Sequence, residues 1–218
     1  MLVDQIYLIL EATLQTIIMV SLSTFGAILF AFPLGFILFL TQPKQLYENK
    51  ILYFILGFIT NIGRSIPFII LLVLLIPLTR WLVGSSIGTL AASIPLMIAA
   101  IPFLARLVEN TLNDLPQGLL ETGLALGASP LQIVCKILFP EALVSFIQNI
   151  TNTMITLIGY SAMAGLVGGG GLGDIAIRYG FYRFDMFMMF LTVIILIIMV
   201  QSVQFIGNRL SAKGEKKV

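Results

Sequence analysis

Five long apolar stretches, separated by polar segments, organise this chain. Each contains roughly the 20 apolar residues that a membrane-spanning helix needs. In hydrocarbon every backbone N–H and C=O must pair within its own segment, so each stretch predicts a helix. The pattern predicts an all-α, multi-pass membrane protein with a single transmembrane domain over residues 1–218. The predicted spans are about Ala12–Leu40, Ile51–Leu78, Ser86–Leu104, Ala142–Val167 and Met186–Ile206, and the second is interrupted at Gly63–Pro67.

Composition supports this class and excludes others. The chain is 59% hydrophobic and 10% charged, whereas soluble domains are about 25% charged; its mean hydropathy is +1.06. It has no His, which removes His-based catalysis and His metal sites, and we predict no catalytic residue and no metal site. The single Cys135 excludes an internal disulfide, and a net charge of +2 gives no reason to expect nucleic acid as a partner.

The distribution of basic residues predicts an orientation. Cytoplasmic loops carry an excess of Lys and Arg, and an odd number of spans places the termini on opposite sides. With the N-terminus outside and the C-terminus in the cytoplasm, eight basic residues fall inside and three fall outside. No Lys or Arg precedes Lys44, so we expect mature sequence at the N-terminus rather than a signal peptide.

The longest polar segment, residues 106–141, predicts two short helices joined by a tight turn. Pro116–Leu126 reads as the first helix, and Gly127 suits the left-handed residue that ends a helix. Ser129 is a predicted N-cap, with Pro130 at the first position of the second helix. Pro140 is expected to stop that helix before the fourth span. The segment would therefore lie on the cytoplasmic membrane surface.

Three motifs suggest chemistry that the rest of the chain does not support. The run of glycines at 168–173 fits G-x-G-x-x-G, but it follows a predicted membrane helix, where a dinucleotide site requires a strand. Gly171-Leu172-Gly173-Asp174 resembles the motif of intramembrane aspartyl proteases but lacks a second intramembrane Asp. Ser161 begins like a nucleophile elbow, yet no His can activate it.

Polar residues within the spans are candidates for a translocation path or gate. Arg64 either caps carbonyls freed by Pro67 or pairs with an acid such as Glu109, or it faces an aqueous path. A polar face of the fourth span, formed by Asn149, Asn152, Thr153 and Thr156, either lines that path or forms hydrogen bonds between helices. The path candidates are Arg64, Ser65, Asn149, Asn152, Tyr160, Ser161 and Met163.

The spacing within the polar segment resembles the coupling loop of ABC-importer permeases. Glu121 is followed by Gly127, then by Ile137 and Pro140, although Thr122-Gly123 replaces the family's usual pair of small residues. The resemblance implies docking to a separate ATPase through Glu121, Gly127, Ala128, Ser129, Pro130, Ile137 and Pro140. This chain has no Walker P-loop, so ATP and Mg²⁺ would bind the partner ATPase, and we expect no cofactor on this chain and no enzyme activity.

Further segments resemble the permease subunits of methionine ABC importers over nearly the whole chain. They are Arg64-Ser-Ile-Pro, Ala105-Arg-Leu-Val-Glu-Asn110, Gly159-Tyr-Ser-Ala-Met163 and Gly170-Gly-Leu-Gly173. The resemblance implies a type I importer of the bacterial inner membrane that carries methionine, in both the D and L forms. It also implies two permease copies, two ATPase subunits and an extracytoplasmic methionine-binding lipoprotein.

Two other transport hypotheses stay open at this point. The permease could carry another amino acid. An ion-coupled secondary transporter is the alternative class, although it usually shows internal repeats and buried ionisable groups. No repeat is visible here, and Arg64 is the main predicted intramembrane charge.

Overall fold

The structure is a computed structural model that describes residues 2–215, and all regular secondary structure in that part of the chain is helical. Four helices are long and apolar enough to cross a membrane, and a bent pair of helices supplies a fifth span. The prediction of an all-α membrane fold is confirmed. The helices are α1 Leu2–Thr41, α2 Lys50–Ser65, α3 Phe68–Leu74, α4 Ile76–Val83, α5 Thr89–Asn113, α6 Gly118–Ala125, α7 Pro130–Ile133, α8 Phe139–Glu141, α9 Leu143–Ala164, α10 Gly171–Ile175 and α11 Met186–Glu215.

The long helix α1 carries several hydroxyl side chains in an apolar setting. Five of them donate to the carbonyl four residues earlier: Thr13, Thr16, Ser23, Thr24 and Thr41. Ser23 donates to Met19 O at 2.7 Å, and Thr24 donates to Val20 O at 2.8 Å. The bonds satisfy the donors within the helix, as a lipid environment requires. The helix begins at Leu2, well before the predicted Ala12, because helical backbone does not require an uninterrupted apolar run.

The second span is broken rather than continuous. Helices α2 and α3 meet at an angle of 103°. Pro67 lacks an N–H, and Ile66 before it is extended, with φ −80° and ψ 122°, the conformation that a following proline favours. Helix α4 then runs to Gly84, whose left-handed φ of 80° ends it. The break turns the chain inward to face α5 and α9.

Helix α5 is the centre of the bundle. It packs along α1 and also contacts α2, α3, α4 and α9. Leu96, Leu104 and Val108 on this helix are fully buried. By contrast, only 11% of the most apolar part of α11 is buried in this chain. Most of its surface is therefore left for lipid or for a partner subunit.

Candidate functional site

The turn between α6 and α7 has the geometry that the sequence predicts. Gly127 has φ 72°, in the left-handed region that glycine occupies without strain. Its N–H donates to Leu124 O at 3.0 Å, and the N–H of Ala128 donates to Gly123 O at 3.0 Å. These two bonds form a Schellman motif, which satisfies the last carbonyls of α6.

The second helix of the loop starts with a capping box. Ser129 Oγ accepts from Gln132 N at 3.4 Å, and Gln132 Oε1 accepts from Ser129 N at 2.8 Å. Pro130 occupies the first position, where its missing N–H costs nothing. The predicted N-cap is confirmed. The Ser-x-x-Gln spacing is the sequence pattern that indicates Gln132 as the second member of the capping box.

The prediction that Pro140 stops this helix is wrong. The chain stays helical to Glu141, and Pro140 lies inside α8. A π-helical segment, Val134–Leu138, directly precedes it, and Phe139 N–H donates to Val134 O, five residues back. The wider turn makes room for the proline ring beside the carbonyl of Lys136, where a regular α-helix would clash.

The inner face of the loop is anchored in the bundle. Ile133 and Leu138 are fully buried in a cluster with Phe39, Leu112 and Phe146. Gly123 is buried against the side chains of Ile133 and Ile137, which would lie 3.0 Å from an added Cβ. A small residue at this position therefore lets α6 lie close against the second helix.

The outer face of the loop is apolar and exposed. Leu126 is 80% exposed and Leu131 is 74% exposed, beside exposed Leu124. Glu121, Gly127, Ser129 and Pro140 are also exposed, whereas Ala128, Pro130 and Ile137 are partly buried. Exposed leucines grouped at the tip of a helix pair mark a surface for a protein or a membrane partner.

A buried polar network lies at the base of the loop. Arg106 Nη1 contacts Glu109 Oε2 at 2.6 Å, and Gln42 donates to Glu109 Oε1 at 2.8 Å. Arg106 also donates to Gly57 O at 3.1 Å and to Asn61 Oδ1 at 3.2 Å. The network joins α1, α2 and α5. Of the alternatives for Arg64, pairing with Glu109 is therefore wrong; the three-residue spacing of Arg106 and Glu109 on one helix is the signal that was missed.

The broken second span forms one wall of a cavity of about 150 Å³. Arg64 and Tyr160, two of the predicted path residues, both line it. The ring of Tyr160 stacks on Phe68, with centroids 4.6 Å apart and an interplanar angle of 3°. The remaining lining residues are Gly63, Ile66, Phe68, Ala99, Ala100, Phe103, Thr153, Thr156 and Leu157.

The other predicted path residues lie outside this lining. Asn149 donates to Thr111 Oγ1 at 2.8 Å and to Leu107 O at 3.3 Å, joining α9 to α5. Ser161 is buried and donates to Ile158 O at 2.7 Å. Ser65 donates to Asn61 O, Asn152 is exposed, and Met163 is 43% exposed.

The glycine-rich segment after α9 is a tightly packed turn. The N–H of Gly171 donates to Gln15 Oε1 at 2.8 Å, and that of Leu172 donates to Thr16 Oγ1 at 2.9 Å. These side chains of α1 occupy donors that a phosphate would need. An added Cβ on Gly173 would fall 2.4 Å from the backbone of Ala162. The glycines therefore serve close packing.

Asp174 of the apparent protease motif and the next Asp along the chain, Asp185, are not arranged for catalysis. Asp174 forms an ion pair with Arg178 on the next helical turn. Asp185 Oδ1 accepts from Met188 N at 3.1 Å at the start of α11, an N-cap arrangement. The two carboxylates have separate structural partners rather than a shared proton.

Apolar spans, a broken helix lining a cavity and an exposed docking-type helix pair define a membrane transport subunit. Residues 27–214 match the profile of a family described as binding-protein-dependent transport system inner membrane component. The chain belongs to this family, and it is a permease subunit of an ABC importer, a multi-pass protein of the inner membrane.

Curated relatives and solved structures give the same result. The chain is 54% identical over 176 residues to the probable D-methionine transport system permease protein MetI of Vibrio cholerae, covering 80% of this chain and 77% of the relative. It is 48% identical over 159 residues to the D-methionine transport system permease protein MetI of Escherichia coli K12, covering 73% of each. A chain from an inward-facing crystal structure of the MetNI methionine ABC transporter superposes with a TM-score of 0.96 at 44% identity, covering 97% of this chain and 98% of that one.

Proposed function

We propose that this chain is the path through which an ABC importer carries methionine, in D and L forms, across the inner membrane. The observation that carries this proposal is the similarity to MetI permeases and to the MetNI structure along most of both chains. The cavity beside the broken second span provides a polar and aromatic environment within the bundle. The chain supplies the path, and hydrolysis of ATP on another subunit supplies the energy.

We further propose the assembly that such a machine requires. Two copies of this permease pair with two ATPase subunits that bind ATP and Mg²⁺, and an extracytoplasmic lipoprotein delivers methionine. The exposed leucines at the tip of the loop support docking to the ATPase. The docking residues are Glu121, Gly127, Ala128, Ser129, Pro130, Ile137 and Pro140.

The orientation that fits this assembly has the N-terminus outside and the C-terminus in the cytoplasm. The excess of basic residues in the segments assigned to the cytoplasm supports it. In this orientation the helix pair of the loop faces the compartment that holds ATP. Labelling of single cysteines introduced at Ser85 and at Asn208, each in a Cys135→Ser background because Cys135 is exposed, distinguishes the two sides when the reagent cannot cross the membrane.

Seven residues remain proposed members of the path or gate: Arg64, Ser65, Asn149, Asn152, Tyr160, Ser161 and Met163. The shared cavity supports Arg64 and Tyr160 as residues that contact substrate. Asn149 and Ser161 are engaged in hydrogen bonds to the bundle, so their contribution is to position α9. Met163 lies exposed at the end of α9, where the partner copy could meet it in a gate.

Uptake by cells tests the proposed substrate. A methionine auxotroph without its own methionine importers would express this permease with its ATPase and binding protein. We expect uptake of labelled methionine that unlabelled D- and L-methionine block and that other amino acids at the same concentration do not. Uptake blocked only by a different amino acid would keep the transporter class and reject the substrate. Uptake that persists without the ATPase would favour an ion-coupled secondary transporter.

Replacement of Glu121 tests the docking surface. The substitution Glu121→Lys reverses a charge on the exposed face of α6, and we expect it to reduce co-purification of the ATPase several-fold while membrane insertion is unchanged. Glu141→Lys makes the same change at an exposed site at the end of the loop, and we expect it to retain the ATPase. Equal ATPase recovery with both variants would reject Glu121 as a docking residue.

A further inference from the structure

The cavity between α2, α3, α5 and α9 offers three kinds of surface. It has a volume of about 150 Å³, and its lining includes Arg64, Phe68, Phe103, Thr153, Thr156 and Tyr160. Irregular backbone at membrane depth is tolerated where it lines a cavity, and in transporters such broken helices commonly form substrate sites. Each surface complements a different part of one class of ligand.

The first surface carries the positive charge of Arg64. Arg64 is exposed at the end of α2, and among the described residues it makes no ion pair or side-chain hydrogen bond. Its guanidinium stays charged and presents five donors, a geometry suited to a carboxylate. A charge of this kind within a membrane span marks a functional site by default.

The second surface is a set of hydrogen-bond acceptors. The hydroxyl of Thr153 donates to Asn149 O at 2.7 Å, and that of Thr156 donates to Asn152 O at 2.9 Å. Because their protons are directed into the helix, these hydroxyls present oxygen lone pairs to other groups. The carbonyl of Gly63 also loses its helical partner, since Pro67 has no N–H. An ammonium group requires such acceptors.

The third surface is apolar and aromatic. Phe68 is buried and stacks on Tyr160 with ring centroids 4.6 Å apart, and Phe103 and Leu157 extend the apolar wall. Aromatic rings make favourable contacts with a thioether sulfur, and straight apolar side chains fill irregular spaces between them. The wall carries no acid, so it does not suit a cationic side chain.

We propose that this cavity is an intramembrane binding site for a zwitterionic α-amino acid with an apolar, thioether-type side chain. Arg64 binds the carboxylate, Thr153, Thr156 and the Gly63 carbonyl accept from the ammonium, and the Phe68–Tyr160 pair holds the side chain. This inference rests on the proposed function, because it places a binding site for the same substrate within the path. The site selects substrate after the binding protein has released it.

Photo-crosslinking tests the site directly. The purified permease–ATPase complex, without binding protein, is illuminated with photo-methionine, the diazirine analogue of methionine, and the adducts are mapped by mass spectrometry. We expect adducts on peptides that contain Phe68, Phe103 or Tyr160. Excess methionine should suppress them, whereas methionine methyl ester, which lacks the carboxylate, should not. The isolated ATPase, illuminated in the same way, identifies any labelling that is not due to the permease.

Variants separate binding from structure. We expect Arg64→Gln to lower the cavity adducts about tenfold or more, the usual effect of losing a hydrogen-bonded charge partner. Arg80→Gln removes an exposed arginine that does not line the cavity. The yield of cavity adducts with this variant should equal that with the unmodified chain. Thr156→Val removes one acceptor without changing shape and should lower them several-fold. Recovery of the ATPase with each variant shows that the complex is intact.

The outcomes distinguish this inference from the function on which it rests. ATP-dependent methionine uptake by the unmodified complex together with adducts outside the cavity, or with adducts that Arg64→Gln does not change, would overturn the site alone. Absence of methionine uptake by an intact complex with its binding protein would overturn the proposed function and the site with it. Cavity adducts that depend on Arg64 and compete with methionine would establish the site.

Discussion

At the scale of single residues, the buried pair of Arg106 and Glu109 fixes the base of the loop that holds α6 and α7. Glu109 is 2% exposed, and its two oxygens are bound by Arg106 and by Gln42, the residue directly after α1. Removal of one member of a buried pair leaves an uncompensated charge, which is far more costly than removal of both. The pair therefore contributes to the relative placement of α1, α2 and α5 rather than to net stability alone.

Replacement of Glu109 tests this role. We expect Glu109→Leu to destabilise the protein by about 3–5 kcal/mol, measured as a lower thermal unfolding midpoint in detergent. The double variant Arg106→Met, Glu109→Leu should regain most of the loss. Glu48→Leu provides a surface control, because that carboxylate lies beside exposed Lys50 at 3.6 Å. A double variant as unstable as the single one would contradict the explanation.

Residue partners were the least predictable feature from sequence. The charge of Arg64 and its place at a break were evident, but its pairing with Glu109 was not correct. Distances between helices decide such pairs, and the α5 geometry gives Glu109 a nearer partner in Arg106. The glycine turn at 127 and the Ser129 cap were predictable because their causes lie within a few residues.

At the scale of helices, the proposed docking requires the turn of the α6–turn–α7 unit to hold its shape. Its two Schellman hydrogen bonds and the Ser129–Gln132 capping box fix the ends of both helices. Ile133 and Leu138 fix the unit to the bundle. The π-helical segment before Pro140 was not predictable, since proline inside a helix more often ends it, and only the observed packing shows how the ring is accommodated.

Substitution at Gly127 tests the rigidity of this unit. We expect Gly127→Val to strain the left-handed turn by roughly 1–2 kcal/mol, or about 5- to 30-fold in its population. Methionine uptake per ATP hydrolysed should fall accordingly in the reconstituted complex. Gly127→Asn is the matched control, because asparagine tolerates the left-handed region, and it should retain most of the coupling. Normal coupling in the valine variant would show that the turn does not need this conformation.

At the scale of the whole molecule, one helix links the two functional regions. The base of α5 carries Arg106 and Glu109 above the loop, and its middle lines the cavity through Ala99, Ala100 and Phe103. In the proposed transport cycle, α5 would therefore carry movement of the loop to the cavity wall. A ligand or partner shifts such an equilibrium only by binding one state better than the other, and ATP-driven closure of the partner ATPase would provide that difference.

The number of spans and the long polar segment were predictable because lipid forces the backbone into helices and leaves a strong apolar pattern. The break at Pro67 was predictable in position but not in angle. The 103° bend depends on how α3 packs on α5 and α9, contacts that a linear sequence does not display. The cavity is a product of that bend, so only four of its lining residues were foreseen, namely Arg64, Thr153, Thr156 and Tyr160.

The most direct test is transport by the purified components in liposomes. The permease, its ATPase and its loaded binding protein would be reconstituted, and uptake of labelled methionine would be measured with ATP and with a non-hydrolysable analogue. We expect accumulation only with hydrolysable ATP and only when all three components are present. Accumulation without hydrolysis, or ATP hydrolysis without any methionine entering an intact, sealed liposome, would contradict the proposal that this chain is the ATP-driven methionine path.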